Sequence, residues 1–450
     1  MYQMFKLGVT GKLWCIIDDF HSKSESAVVV NQCKSKYFSV TEGGHQGGVL
    51  SGILYIAFIN DLLFEMNKCN IRTGIGNLTC NAPALADDIA CIATSPRALQ
   101  RMLDVCSDYS NKWRFQFNGN KSCVVQFTLN APKPDFKSSI NDEPIPVSYT
   151  YIHLDFGLNG NFKSLNRTRN VCRKARNTYF AMSNIRTEYT NPLALIKLYK
   201  ALVIPSCLYE CEVWNNLKNQ DSRLLNRLQH FIAKHIQQLP KLTRSDICES
   251  LVGLNPITCE IEKRKLYFFG KLCNMNSKHL PKKMFLNRLC TCVFDKDIVR
   301  YGFAPDILDI VQKYDLSAYI TDYLLDGQFP GKLQWKKVVS LAVQSCQQQS
   351  WTSRVTADSD FSRFINIHNA VSSAKMWSYP TNSSELRTTF FIAKLIPTVP
   401  DSNVKICRLC EKQYTDIFVH VCCNCQYSFE IQNMWWDLII ENFCLNFMLN

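Results

Sequence analysis

Asn81-Ala82-Pro83-Ala84-Leu85-Ala86-Asp87-Asp88-Ile89-Ala90-Cys91-Ile92 is the stretch whose reading decides the fold. Two adjacent carboxylates stand between short apolar runs, with Asn81 and Pro83 as turn residues upstream. Apolar runs bounded by turn signals read as the arms of a hairpin, with Asp87-Asp88 at its tip. Successive side chains of a strand point to opposite faces, so one aspartate is expected to lead at any shared site. Adjacent carboxylates repel unless a cation lies between or beside them, and hard oxygen ligands suit Mg²⁺. An isolated Asp-Asp pair is most often a solvated turn. Its neighbours give this one its weight.

Upstream, Phe5, Val9, Leu13, Ile16, Ile17 and Phe20 fall at helical spacing, interrupted by Gly8 and Gly11. Asp18-Asp19 lies within that pattern and reads as a solvated helix face. Ala27–Val30 and Tyr37–Val40 read as a hairpin joined through Asn31–Ser35. The glycine-rich loop Glu42-Gly43-Gly44-His45-Gln46-Gly47-Gly48 then opens into an apolar helix running through Asp61. Glycines let a backbone approach a ligand closely, and a helix N-terminus favours phosphate. Downstream, Pro96–Phe117 reads as an amphipathic helix, Asn118-Gly119-Asn120-Lys121 as a turn, and Cys123–Phe127 as a strand.

The composition sets the class. A chain of 450 residues with 46% hydrophobic and 12% aromatic residues is core-forming and long enough for two to four domains. Its formal net charge of +13 points to a polyanionic partner such as nucleic acid. No concentrated basic amphipathic helix of the membrane-binding kind is evident. Met1–Lys6 lacks the charged and apolar order of a signal peptide, so the 22 cysteines are expected to be reduced and the protein intracellular, nuclear or cytoplasmic. Clustered cysteines then read as metal ligands and scattered ones as small core residues. No apolar run is long enough to span a bilayer.

From Asn161 to Lys200, nine basic residues (Lys163, Arg167, Arg169, Arg173, Lys174, Arg176, Arg186, Lys197, Lys200) face the single acid Glu188. This imbalance on a helical pattern favours contact with a nucleic-acid backbone over an ordinary solvated face. Pro192 is expected to start a second helix ending near Pro205. Further helices are predicted at 222–238, 244–252 and 257–275. The stretch from 281 to 400 reads as helical, with breaks at Gly327–Gly331 and Tyr379-Pro380. Near the end, Cys407-Arg408-Leu409-Cys410 precedes His420 and Cys425, a spacing that suits a Cys₃His zinc tetrahedron. Cys422 and Cys423 crowd the fourth position, so the last ligand stays open.

Taken together these residues resemble the reverse transcriptase of non-LTR retrotransposons. The elements that carry the resemblance are Gln46-Gly47 with Leu50-Ser51, Asn60-Asp61-Leu62, Ala86-Asp87-Asp88, Trp113…Asn118…Lys121 and Tyr151-Ile152-His153-Leu154. The Cys-His element resembles one at the C-terminus of such proteins. The resemblance implies an α+β fold: a partial polymerase palm over residues 1–160, a helical thumb over 161–280, a helical region over 281–400 and a zinc element over 401–450. It also implies two Mg²⁺ ions, an RNA template and a DNA primer. Asp87 and Asp88 would hold metal, Lys121 would stand near the triphosphate, and Gln46, Gly47, Ser51 and Ala86 would line template and nucleotide. Arg167, Arg169, Arg173, Lys174 and Arg176 would grip the duplex backbone.

There are departures. His45 replaces the family's arginine, Gly52 a proline, Leu85 an aromatic residue and Asp155 a glycine. The family's first catalytic aspartate belongs to a strand preceding the helix read at Phe5–Phe20, which only Met1–Met4 precede here. Two-metal chemistry needs carboxylates from both strands. The expectation is a polymerase-family chain inactive on its own; the alternatives are a nucleic-acid-binding remnant or a degenerate product without function.

Overall fold

The computed structural model describes residues 1–40, 43, 47–69, 71, 73–128, 137–153, 156–160, 165–182, 189–214, 217–294, 302–357, 364, 368–395, 405–407, 410–414, 420 and 426. The chain is α+β and divides into two compact units, Met1–Lys163 and Ser164–Asn450.

The first unit opens on α1 (Tyr2–Lys6) and α2 (Gly11–Ser22). The single helix expected over Phe5–Phe20 is two, because Gly8 and Gly11 take φ of +89° and +64°, outside helical backbone. On α2, Asp19 pairs with Lys23 one turn on, as a solvated face would. A long hairpin follows: β1 (Glu25–Ser26) pairs with β4 (Phe38–Ser39), and β2 (Val29–Val30) with β3 (Cys33–Lys34). Its turn is tighter than the five-residue connection expected. Asn31 and Gln32 both have positive φ, the signature of a two-residue type I′ turn.

The core of this unit lies between α3 (Ser51–Lys68) and α4 (Pro96–Trp113). Ile59, Leu62 and Met66 of α3 meet Ala98, Met102, Cys106 and Tyr109 of α4, together with Ile140 and Ile145. Burying side chains of this size contributes about 1.5–3 kcal/mol each. Ser95 caps α4 by accepting from the Ala98 N–H at 3.3 Å, with Pro96 in the first turn. Arg114 in the left-handed region ends it, three residues before the expected Phe117.

Between the helices run hairpins β5–β6 (Gly74–Ile75, Leu78–Thr79) and β7–β8 (Ala84–Leu85, Asp88–Ile89). After α4, β9 (Val124–Val125), β10 (Ser138–Ile140), β11 (Glu143–Ile145) and β12 (Val147–Ser148) lead to β13 (Thr150–His153) and β14 (Phe156–Asn159). β9 and β12 pair in parallel; β10–β11 and β13–β14 are antiparallel. The β10–β11 hairpin is fastened to α4 by Gln100, which donates to the Ser139 carbonyl at 2.9 Å and accepts from its N–H at 3.1 Å.

The second unit is helical. α5 (Leu165–Ala181) lies beside α8 (Asn219–Ile236). Thr168 donates to buried Asp221 at 2.6 Å, and Tyr179 meets His235 Nδ1 at 2.6 Å. These pairs, near either end of both helices, show that α5 and α8 run parallel. Between them, α6 (Pro192–Leu198) continues through a π turn at Tyr199–Val203 into α7 (Ile204–Cys207). The helix expected to stop near Pro205 therefore runs to Cys207. Proline has no N–H for an ordinary helical bond, and the wider turn comes just before it.

Next come α9 (Ser245–Ser250), α10 (Ile257–Cys273), α11 (Leu280–Phe294), α12 (Phe303–Lys313), α13 (Ser317–Asp326) and α14 (Lys332–Thr356). Gly327 at φ +68° stops α13, within the break expected from the sequence. One hydrophobic cluster runs from Cys259 to Val343, so the core crosses residue 280 without interruption. α10 is its centre, packing on α8, α11, α12 and α14. Its Lys265 is 2% exposed and donates to the Trp214 carbonyl and to Asp306. Helix α15 (Ser383–Leu395) and hairpin β15–β16 (Lys405–Ile406, Gln413–Tyr414) follow. Every described cysteine is a free thiol, and no described helix is long and apolar enough to cross a membrane.

The tightest fit in the second core is Gly270 against Trp335. A Cβ at Gly270 would stand 2.1 Å from Trp335 Cδ1, and that ring is held by its Nε1–H donating to the Leu266 carbonyl at 2.7 Å. Gly270→Ala is expected to destabilise the second unit by about 1–3 kcal/mol, through overpacking. A lowered denaturant midpoint with unchanged slope is the readout.

Candidate active site and nucleic-acid interface

The β7–β8 hairpin has a two-residue turn, Ala86-Asp87, closed by the pair Leu85↔Asp88. Asp87 thus sits in the turn and Asp88 opens the returning strand; both are exposed. Of the two turn residues only Ala86 has positive φ, at +50°, a position that usually takes glycine. Such strain costs of order 1–3 kcal/mol and persists where the surroundings enforce it. Here the enforcement is at the hairpin base. Asn81 is buried; its Oδ1 accepts from the Thr73 N–H at 3.2 Å and its carbonyl accepts from the Ile92 N–H at 2.7 Å. Thr73 Oγ1 donates to the Ile92 carbonyl at 2.7 Å, and the Ala90 N–H donates to the Pro83 carbonyl at 2.9 Å.

The two carboxylates have different neighbours. Burial and then the Asp87 charge raise the Tyr55 phenol on α3, whereas burial followed by Asp88 raises Tyr151 on β13. The divergence expected from strand alternation is thus produced by a turn followed by a strand. Tyr151 belongs to the Tyr151-Ile152-His153-Leu154 element already read in the sequence, whereas nothing in the sequence pattern marks Tyr55; the fold brings each within electrostatic reach of one aspartate. Among the described residues, no third carboxylate, histidine or cysteine joins the pair as a metal-ligand group.

Of the other residues singled out in the sequence, Gly47 is exposed with φ +82°, and Ser51 is the first residue of α3, which has no side-chain cap. Lys121 is exposed at the end of a short turn whose Asn118 Oδ1 accepts from its N–H at 3.2 Å. No described ion pair ties it to Asp87 or Asp88. Gln46, His45, Leu154 and Asp155 lie outside the described residues.

On α5 the five basic residues divide. Arg167 is turned inward, its guanidinium 5.2 Å from the Trp214 ring centroid; burial lowers its pKa and Asp221 opposes that shift. It serves packing, unlike its expected role at a backbone. The reason is position, since Arg167 adjoins Thr168 on the face that meets α8. Arg169, Arg173, Lys174 and Arg176 are exposed. Beside them α8 exposes Arg223, Arg227, Phe231 and His235. That four-residue repeat opposite the apolar face of α8 was legible in the sequence but not singled out. Lys163, Arg186 and Glu188 lie outside the described residues.

At the β15–β16 hairpin, Cys407 and His420 are buried and Cys410 is half-buried. Their ligand atoms lie within 4.8 Å of one another, with Cys410 Sγ 3.1 Å from His420 Nε2. The loop is folded by the Cys407 N–H donating to the Lys412 carbonyl at 2.8 Å, and by the Glu411 N–H donating to the Cys407 carbonyl at 2.7 Å. Burial and then Lys412 lower the His420 pKa, favouring the neutral imidazole that a metal takes. This is a possible metal-binding group. Cys422, Cys423 and Cys425 lie outside the described residues.

Residues 1–151 match the family model described as reverse transcriptase (RNA-dependent DNA polymerase). The matched segment, a third of the chain, contains the carboxylate hairpin and the helices on either side of it. A Drosophila melanogaster protein named "Probable RNA-directed DNA polymerase from transposon X-element" is 22% identical over 263 residues, 55% of this chain. The chain spans 27% of that relative's length.

Asn81→Ala removes the buried acceptor that joins the two hairpins and leaves the Thr73 N–H without it. A loss of about 1–2 kcal/mol in stability is expected. Hydrogen exchange should place the increased opening at residues 73–92, with α5–α8 unaffected.

Proposed function

We propose that this chain is the polymerase part of a retrotransposon protein that copies RNA into DNA. The carrying observation is the exposed Asp87-Asp88 pair on a strained, base-fastened hairpin within the segment that matches the reverse transcriptase family. Residues 1–160 would be the palm, 161–280 the thumb, 281–400 a helical extension and 401–450 a zinc element. Element RNA would be the template, in the nucleus or cytoplasm.

Two adjacent carboxylates on an exposed turn fit Mg²⁺, which typically binds one or two carboxylates plus substrate phosphates and keeps several waters. When bound, Mg²⁺ supplies charge neutralisation at the triphosphate and activates the attacking hydroxyl. Asp87 and Asp88 would hold it. Gln46, Gly47, Ser51 and Ala86 would bound template and nucleotide, and Lys121 Nζ would present charge or a proton to the leaving pyrophosphate. Arg169, Arg173, Lys174 and Arg176 would hold the backbone without reading its sequence.

Primer extension on an RNA template with Mg²⁺ is the test. Asp87→Ala is expected to abolish synthesis while RNA affinity stays within about twofold, because phosphate contacts dominate affinity. Undiminished synthesis by the variant would sink the assignment. A second reading, a nucleic-acid-binding protein without catalysis, rests on the exposed basic residues Arg169, Arg173, Arg176, Arg223 and Arg227 of α5 and α8. It predicts salt-sensitive RNA binding with no extension by the unaltered chain.

For the terminal element we propose Zn²⁺ held by Cys407, Cys410, His420 and, from the spacing, Cys425. Zinc bonds of about 2.0–2.3 Å set ligand separations of about 3.5 Å, in keeping with this cluster. Purified protein is expected to carry one equivalent of zinc by atomic absorption, and Cys410→Ala to lose it. Full zinc content in that variant would exclude Cys410 as a ligand.

A further inference from the structure

We infer that the C-terminal ends of α5 and α8 form a stacking platform for the bases of an unpaired nucleic-acid strand, continuous with the basic stripe beside it. This rests on reading the second unit as nucleic-acid binding and adds to it a specific strand form. The two helices run parallel, tied by Thr168–Asp221 near one end and Tyr179–His235 near the other. Arg169 and Arg173 on α5, and Arg223 and Arg227 on α8, are exposed along the pair. α5 contains no acidic residue; the single acid of α8, Asp221, is 1% exposed and accepts from Thr168.

The stripe ends in rings. Phe180 and Phe231 are 39% and 37% exposed, with centroids 6.0 Å apart. His235 stacks on Phe231 at 5.9 Å and 29°. The Arg176 guanidinium lies 4.9 Å from the Phe231 centroid and 5.6 Å from that of Phe180. The buried positions of these helices include Ala175, Tyr179, Leu228 and Ile232, whereas Phe180 and Phe231 are exposed.

A guanidinium-rich surface without exposed carboxylates selects a polyanion. A paired duplex offers it phosphates but keeps its base faces stacked inside. An unpaired strand offers both phosphates and π faces, the combination of cationic groove and aromatic platform that single-strand binders use. From Arg169 to Phe180 the helix rises about 16 Å, the length of about five stacked nucleotides.

Fluorescence anisotropy with the full chain tests this, using single-stranded RNA, single-stranded DNA, the same RNA sequence with abasic sites, and a blunt duplex, each across a salt series. The unaltered protein is expected to bind the abasic strand about tenfold more weakly than the intact one. Phe180→Leu with Phe231→Leu should lower single-strand affinity about tenfold and duplex affinity less than about twofold; Phe231→Tyr, which keeps a ring, should retain binding. Equal affinity for abasic and intact strands overturns the platform, and that arm needs no variant to fold. Loss restricted to RNA or to DNA identifies which strand it serves. Arg169→Ala with Arg173→Ala should weaken single strand and duplex alike and reduce the duplex salt slope by about 2. Unchanged slopes would overturn the nucleic-acid reading itself, separately from the platform.

Discussion

The first unit depends on one buried amide. Asn81 stands where β5–β6 ends and β7–β8 begins, and it serves both: its side chain receives the Thr73 N–H and its carbonyl receives the Ile92 N–H. A buried polar group that satisfies two segments fixes their register, because any slip would leave donors unpaired away from water. That fixed base lets the tip hold Ala86 at φ +50° and present Asp87 from a turn and Asp88 from a strand. A looser hairpin would relax the strain and lose the geometry of the two carboxylates.

The second unit uses polar pairs in the same way. Thr168–Asp221 and Tyr179–His235 fix α5 against α8 at both ends. Gln229 Nε2 donates to Glu249 and to the Asn255 carbonyl, and Lys265 joins the Trp214 carbonyl to Asp306. Buried ion pairs contribute little net stability, since desolvation offsets attraction, but they penalise misplacement strongly. Apolar packing around Phe269, Trp335 and Leu289 supplies the cohesion; the polar pairs define which surfaces face out. One consequence is the separation of Arg167, packed on Trp214, from Arg169, Arg173 and Arg176 on the exposed side.

The terminal Cys-His group follows a different logic. A short hairpin has too few residues to bury a core, and ligands brought together on it are what such small elements use in place of one. Cys407 and Cys410 are placed by the folded loop between β15 and β16, while His420 comes from the following chain. The match to the reverse transcriptase family model covers residues 1–151 and does not reach this group. Its case is geometric.

The sequence by itself determined the α+β class, the carboxylate hairpin, the apolar helix before it and the amphipathic helix after it, the helical second half with its break at Gly327, and the Cys-x₂-Cys…His grouping. These are local signals: apolar period, turn residues and short ligand spacings act over a few neighbours and survive folding. Glycine conformations at Gly8 and Gly11, the tight Asn31-Gln32 turn and the passage of a helix through Pro205 were beyond it, because each is settled by how the backbone absorbs a local conflict. Tertiary structure alone decided that Tyr55 comes under the influence of Asp87, that Arg167 turns inward, and that Phe180, Phe231 and His235 meet around Arg176. Those arrangements join residues far apart in the chain. Their partners are chosen by packing and by burial of polar groups, which no short window of sequence contains.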